Sequence, residues 1–308
     1  MNKERWGILA TAVSAAGFGT LGIFAKFAYD DGANAVTVLA IRFLTAAVLF
    51  WLLLWYKGIN PRVSKRAMVF LLILGGIGYG SFSALYFLSV RLIPVSMVAM
   101  LLYAYPAIVF VLSVVLGDER ASTRQLQALV LSFIGLVLVL GPSFQGLNLL
   151  GVGAILTAAL IYSVYIVVNG RLLKGIPSMV AAAYISTSAA LVFWGAGLFT
   201  QSISFGFTWV AWLASLLVAF FSTFVAISTF FFGISLIGPS RASIVSILEP
   251  VVTVGLSGLL FAEKLSGPQL IGGVFILGSI MWLQSGKGVG KGHIENDLNS
   301  SESMPKVY

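Results

Sequence analysis

The sequence predicts an all-α integral membrane protein whose ten transmembrane helices form two inverted five-helix repeats. Three observations carry this reading. Of 308 residues, 59% are hydrophobic and 9% charged, against about 25% charged in soluble domains, and the mean hydropathy is +1.02. The apolar residues fall into ten runs able to cross a hydrocarbon core about 30 Å thick, which takes roughly 20 helical residues. The two halves also match each other at one fixed offset.

The first run, Trp6–Ala25, follows Lys3 and Arg5 as a secretory leader would. It is longer than a typical leader core and lacks an A-x-A-like closing site, so it reads as an uncleaved first helix. The second, Ala35–Trp55, contains Arg42. The third, Ala67–Val90, carries Gly76, Gly80 and Ala84 as a small-residue stripe suited to close helix packing. The fourth, Val95–Leu116, contains Pro106. The fifth, Leu126–Leu140, is short and uniformly apolar. Leu149–Val168, Met179–Phe199 and Val210–Phe232 supply the sixth to eighth. The ninth, Ser240–Phe261, holds Glu249 and Pro250, and the tenth, Leu270–Gln284, is short like the fifth. These runs divide the chain into a first repeat over 1–144 and a second over 145–285. Residues 286–308 are polar and rich in Gly and Ser, which predicts a disordered cytoplasmic tail.

Charge placement gives the orientation. With the N-terminus inside, 14 of the 18 Lys and Arg fall on the inner side. Lys26, Arg91 and Lys264 fall outside, and Arg42 lies within a span. Both termini are therefore expected in the cytoplasm, with the chain a multi-pass protein of the cell inner (plasma) membrane. The net charge of +8 sits in short loops between apolar runs, which argues against nucleic acid as a partner. Cysteine is absent and the one histidine, His293, lies in the polar tail. Thiolate metal sites, cysteine nucleophiles and most zinc or histidine chemistry are thereby excluded. No cofactor is implied.

The repeat is clearest where Pro106–Leu126 is laid over Pro250–Leu270, 144 residues on, with no gap. Eight of the 21 pairs are identical, among them Pro106/Pro250, Glu119/Glu263 and Gln125/Gln269. LIP ending at Pro94 answers LIGP ending at Pro239, one residue out of step. Five spans per half is an odd number, so the second half starts on the opposite side and the repeats are inverted. An interior proline removes one backbone hydrogen bond; Pro106 frees the carbonyl of Leu102, and Pro250 that of Ser246. Interrupted helices at matching places in inverted repeats point to a transport site. The simpler reading is that single prolines are tolerated in membrane helices.

With these residues on view, the sequence resembles the EamA-type permeases of the drug/metabolite transporter superfamily. The resemblance rests on AIRF around Arg42, on YAYPAIVFVLSVVLGDER, and on ILEPVVTVGLSGLLFAEKLSGPQLIGG. It covers the chain to about Gln284. It implies ten helices from two five-helix repeats and the movement of amino acids, nucleosides, other metabolites or drugs.

Only Arg42 and Glu249 are ionisable deep within the spans. A charge at the bilayer centre costs about 2.5–3.5 kcal/mol on insertion scales, so it is expected to have a partner or a task. They suit a structural pair, a proton carrier at Glu249, or a carboxylate-binding Arg42. Ser243, Ser246, Glu249, Thr253 and Ser257 recur at helical spacing, which forms either a pathway face or a packing seam. Tyr79, Tyr103 and Tyr162 are expected at a cavity for amphipathic solutes. Tyr86 and Tyr105 are expected at the interfacial belt or in packing. Gly255–Leu256–Ser257–Gly258 imitates an intramembrane serine protease, but no span supplies a base. Asp118–Glu119 reads as a solvated loop beside Arg120. A Walker A loop is absent, so ATP does not drive the chain directly.

Two functions fit: a secondary transporter of small metabolites (amino acids or related amphipathic solutes), which the family resemblance implies it exports, working by alternating access and open to proton coupling; or a non-transporting receptor or scaffold that keeps the fold. Its expected partners are a small solute and the lipid bilayer. Substrate, direction, coupling ion and oligomeric state are not written in the sequence.

Overall fold

The computed structural model describes residues 3–117, 123–140, 148–172, 175–246 and 248–285. Expectations placed on Asp118–Glu119, on His293 and on the tail lie outside them. The first span comprises α1 (Lys3–Gly19) and α2 (Leu21–Asp30), and the second is α3 (Ala35–Tyr56). The third comprises α4 (Lys65–Ile73), a π-helical turn at Leu74–Tyr79 and α5 (Gly80–Leu92). The fourth is α6 (Val95–Leu102) with α7 (Tyr105–Val115), and the fifth is α8 (Thr123–Leu140). Then follow α9 (Leu149–Leu172) and α10 (Ser178–Phe199). The eighth span is α11 (Trp209–Ala219), a second π-turn at Phe220–Val225 and α12 (Ala226–Val245) as far as Ile237, and the end of α12 opens the ninth. The last two helices are α13 (Leu248–Phe261) and α14 (Gly267–Ser285). Seven of these rods are long and apolar enough to cross a membrane, and the apolar parts of α8, α13 and α14 are shorter.

The helix starts have local causes. Asn34, Ser64, Asn148 and Thr208 each accept a hydrogen bond from a backbone N–H in the first turn that follows. Such N-caps satisfy donors that have no partner inside the helix. Pro94 and Pro177 precede α6 and α10, where a missing N–H costs nothing.

The strongest packing runs between the halves. α1 lies on α12, α5 on α9, α3 on α10, and α8 on α14. Exchanging the halves maps the first pairing onto the second and returns the other two to themselves, the pattern a pseudo-twofold arrangement requires. Phe43, Phe87, Leu101 and Ile155 lie in the buried centre, while large apolar side chains such as Leu191 and Val274 face outward as lipid-facing positions should.

Three interruptions differ from the plain rods the sequence predicts. The first span breaks at Thr20, whose hydroxyl donates back to the Gly17 carbonyl at 2.7 Å. The third and eighth spans each contain a π-turn, at corresponding places in the two halves. In the third, Gly75 and Gly76 bring the backbone against α10. A Cβ on Gly75 would sit 2.6 Å from the Ile185 carbonyl oxygen, and Ser188 donates to the Leu72 carbonyl at 2.6 Å. Lastly, the expected gap between Phe232 and Ser240 is absent, because α12 stays helical to Val245. Helical backbone runs through Gly238 and Pro239, and the described break lies after Val245, before Pro250.

Gly75→Ala is expected to destabilise the fold by about 1–3 kcal/mol through overpacking. Gly153→Ala on α9, where a Cβ meets nothing within 4 Å, should be neutral or slightly stabilising. Thermal unfolding of the two variants in one detergent checks the contrast.

Candidate functional site

Pro250 has no N–H to offer the Ser246 carbonyl, and that carbonyl lies in the break between α12 and α13. It accepts the Glu249 N–H at 3.0 Å and the Tyr103 hydroxyl, from the other half, at 3.1 Å. The same hydroxyl lies 3.0 Å from Glu249 Oε2, so one proton serves two acceptors. Tyr103 follows α6 at the matching break before Pro106. The two interrupted helices therefore meet through one side chain.

A cavity of about 530 Å³ opens beside this junction, with both halves lining it. Glu249, Ser246, Tyr79 and Tyr162 form part of its wall, together with Leu102 and Asn169. It runs from buried Leu21 and Tyr86 to exposed Ser178 at the start of α10. Tyr86 and Tyr105, expected in belt or packing roles, also line it. Tyr79, Phe82 and Tyr86 are spaced three and four apart, which puts all of them on one helix face; Tyr105 opens α7 next to the break.

Tyr103, expected at the cavity, is buried just behind its wall and reaches it through Glu249 and Ser246; from it a row of rings runs along the wall. Ring centroids step from Tyr103 to Tyr105 (5.8 Å), to Tyr162 (5.1 Å), to Tyr165 (5.9 Å) and to Tyr79 (5.6 Å). At the far end Arg42, fully buried, donates through Nη2 to the Tyr79 hydroxyl at 3.4 Å and through Nε to Thr223 Oγ1 at 2.9 Å. Thr223 in turn donates to the Val218 carbonyl five residues back, at 3.1 Å. Both partners of Arg42 thus belong to the π-turns, one from each half. Its Nη1 has no hydrogen-bond partner among the described residues, and the Phe43 ring lies 4.9 Å from the guanidinium carbon.

Arg42 and Glu249 form no ion pair among the described residues. Each holds neutral hydroxyls, at opposite ends of the tyrosine row. Thr253 is turned to packing, donating to the carbonyls of Gly19 (2.8 Å) and Glu249 (3.1 Å). Ser257 is buried and donates to Val254, while the side chain of Ser243 lies outside the described residues. Leu102 reaches the cavity wall, and Pro106 and Pro250 stand at the two breaks. Sequence reasoning missed the π-turns and the Thr223 contact. The signals present were Gly75–Gly76 in one half and a buried arginine lacking any in-span acid but Glu249.

Residues 5–141 and 149–284 each match the EamA-like transporter family. The chain belongs to that family. This EamA-like protein is therefore a membrane transporter by family, and not an enzyme. It is 29% identical over 275 residues to the "Uncharacterized transporter YcbK" of Bacillus subtilis (strain 168), covering 84% of this chain and 87% of the relative. An "Uncharacterized transporter" of Archaeoglobus fulgidus is 29% identical over 280 residues, covering 90% and 96%. "Protein PecM" of Dickeya dadantii (strain 3937) is 26% identical over 216 residues, covering 70% and 73%. One crystal structure superposes with a TM-score of 0.67 at 18% identity, over 90% of this chain and 95% of that one; at that identity it speaks for the fold alone.

Because the native chain has no cysteine, single cysteines test the cavity directly. Ser246→Cys, on the wall, should react with a small polar maleimide. Thr253→Cys, packed against the first span, should react at least tenfold more slowly. Equal rates in purified protein would contradict the assignment.

Proposed function

We propose that this EamA-like protein is a secondary active exporter of small amphipathic solutes, amino acids or related compounds. It would work by alternating access, with Glu249 carrying the coupling proton. The observation that carries this reading is the Glu249 carboxyl in a cavity wall, beside a helix break, held by a tyrosine hydroxyl rather than by Arg42. A Gln at that position would accept the same Tyr103 bond without the cost of a charge at membrane depth. A carboxyl is worth that cost where it must take up and release a proton or meet a cationic group.

The rest of the wall suits the same task. The Tyr79 hydroxyl accepts from Arg42, so its own proton is left to donate toward the cavity. A solute then meets an acceptor at Glu249 and a donor at Tyr79, with aromatic faces between them. That pattern fits a molecule carrying an amine and an acceptor group on an apolar body. Breaks at matching positions of inverted repeats support a central site about which the units 1–144 and 145–285 rock. Outward transport rests on the family resemblance, and cytoplasmic termini rest on the placement of Lys and Arg.

Purified protein in liposomes tests the reading, with the solute chosen by a thermal-shift screen of amino acids, nucleosides and amphipathic amines. A pH gradient should drive flux in the native protein. Glu249→Gln should lose that drive by at least tenfold while part of the solute exchange survives. Full pH-driven flux in Glu249→Gln would remove Glu249 as carrier, and stabilisation by a solute without any flux would favour a receptor.

A further inference from the structure

We infer that Glu263 is a clasp that shuts the transporter at the face opposite its termini, and that its release opens the cavity to that face; this rests on reading the cavity as the transport site. Glu263 follows α13, in the connection to α14. Its Oε1 accepts the Val95 N–H at 3.0 Å, and its Oε2 accepts the Ser96 N–H at 3.0 Å and the Ser96 hydroxyl at 2.7 Å. These N–H groups open α6, where Pro94 supplies no side-chain cap. A carboxylate there satisfies two orphan donors and complements the positive end of the helix. Helix caps normally come from the adjoining residue, whereas this one comes from the other half of the chain, 167 to 168 residues away.

The backbone is bent to deliver it. Ala262 has φ 54°, a left-handed conformation that a residue with a Cβ adopts only when its surroundings impose it. Beneath the clasp the same face is sealed by side chains. The Phe27 and Phe261 rings lie 5.1 Å apart, with Lys26 Nζ 5.1 Å over Phe261. Gly22 lets the first span approach so closely that an added Cβ would lie 2.7 Å from Val95 Cγ1.

Counting crossings fixes the geometry without any assumption about which side is cytoplasmic. The α13–α14 connection and the start of α6 follow nine and three spans, both odd, so they share the face opposite the termini. The exposed end of the cavity, at Ser178, follows six and lies on the termini face. The structure is thus closed at one face and open toward the other. The clasp joins the fourth and ninth spans, the two that carry Pro106 and Pro250. Parting those spans at the closed face has to break all three bonds to Glu263.

The test uses the full chain in oriented vesicles with one cysteine, Leu102→Cys, in the cavity wall. A membrane-impermeant maleimide is applied from each face in turn. Adding Glu263→Ala should raise labelling from the clasp face relative to the termini face by roughly tenfold, the scale expected for losing charge-assisted hydrogen bonds. Ser96→Ala, which removes one of the three bonds, should move the ratio the same way by a few-fold. It also carries the test, with Glu263→Gln, if Glu263→Ala does not fold. A merely structural role would lower thermal stability and leave the ratio where it was. An unchanged ratio in folded variants overturns the clasp while leaving the cavity reading intact. No labelling at 102 from either face overturns the cavity reading, and the clasp with it.

Discussion

A carbonyl oxygen in hydrocarbon has no water to turn to, so each departure from regular helix must be met by some other group of the protein. That constraint organises this molecule. The Ser246 carbonyl is met by Tyr103, the Leu72 carbonyl by Ser188, the Val218 carbonyl by Thr223 and the Gly19 carbonyl by Thr253. Ser163 likewise donates to the carbonyl of Tyr105, at the start of α7. Several of these donors come from another span, often from the other half. The interruptions therefore tie the bundle together as well as shape the cavity, and irregular backbone gathers where it lines a space or is buried in protein.

The two buried ionisable groups follow a related logic. Joined directly, Arg42 and Glu249 would neutralise each other and leave the cavity wall without a free carboxyl. Set at the two ends of a row of tyrosine rings, each is held by hydroxyls, and one of those hydroxyls, that of Tyr79, belongs to a residue of the cavity wall. Arg42 acts on the cavity through Tyr79, whose oxygen it engages. Glu249 faces the cavity itself. In this way neutral, reorientable groups stand between a fixed cation and whatever enters.

Much of this was legible in the sequence. Hydropathy and length locate the spans, because hydrocarbon thickness leaves little freedom. The offset of 144 identifies the duplicated halves, and the prolines mark both helix breaks, because proline's chemistry is local. What escaped the sequence is non-local. Nothing in LGGIGY or FFSTFV by itself dictates a π-turn; the first is stabilised by the approach of α10, and the second by Thr223 bonding at once to Arg42 and to Val218. At the break by Thr20 the Thr20 hydroxyl meets Ser222 and the Gly19 carbonyl is met by Thr253, both from the other half. Tyr86 and Tyr105 pack in the core and also border the cavity, which periodicity does not reveal, because it describes which residues share a face and not what that face meets. The cap from Glu263 to α6 spans 167 to 168 residues, and no window along the chain contains both partners.

The duplication is geometrical, but its chemistry is lopsided. At the offset of 144, the residue in the first half that answers Glu249 is Tyr105. Both line the same cavity, one as an acid and the other as a phenol. Two identical halves would make the inward-facing and outward-facing arrangements twofold-related and of equal energy. With an acid in one copy and a phenol in the other, that degeneracy is lifted. Under alternating access the resting occupancy of the two arrangements, and the solute affinity at each face, then become separately adjustable traits. A duplicated chain has in this way a means of tuning each side of the membrane by single substitutions, without altering the scaffold that both halves share.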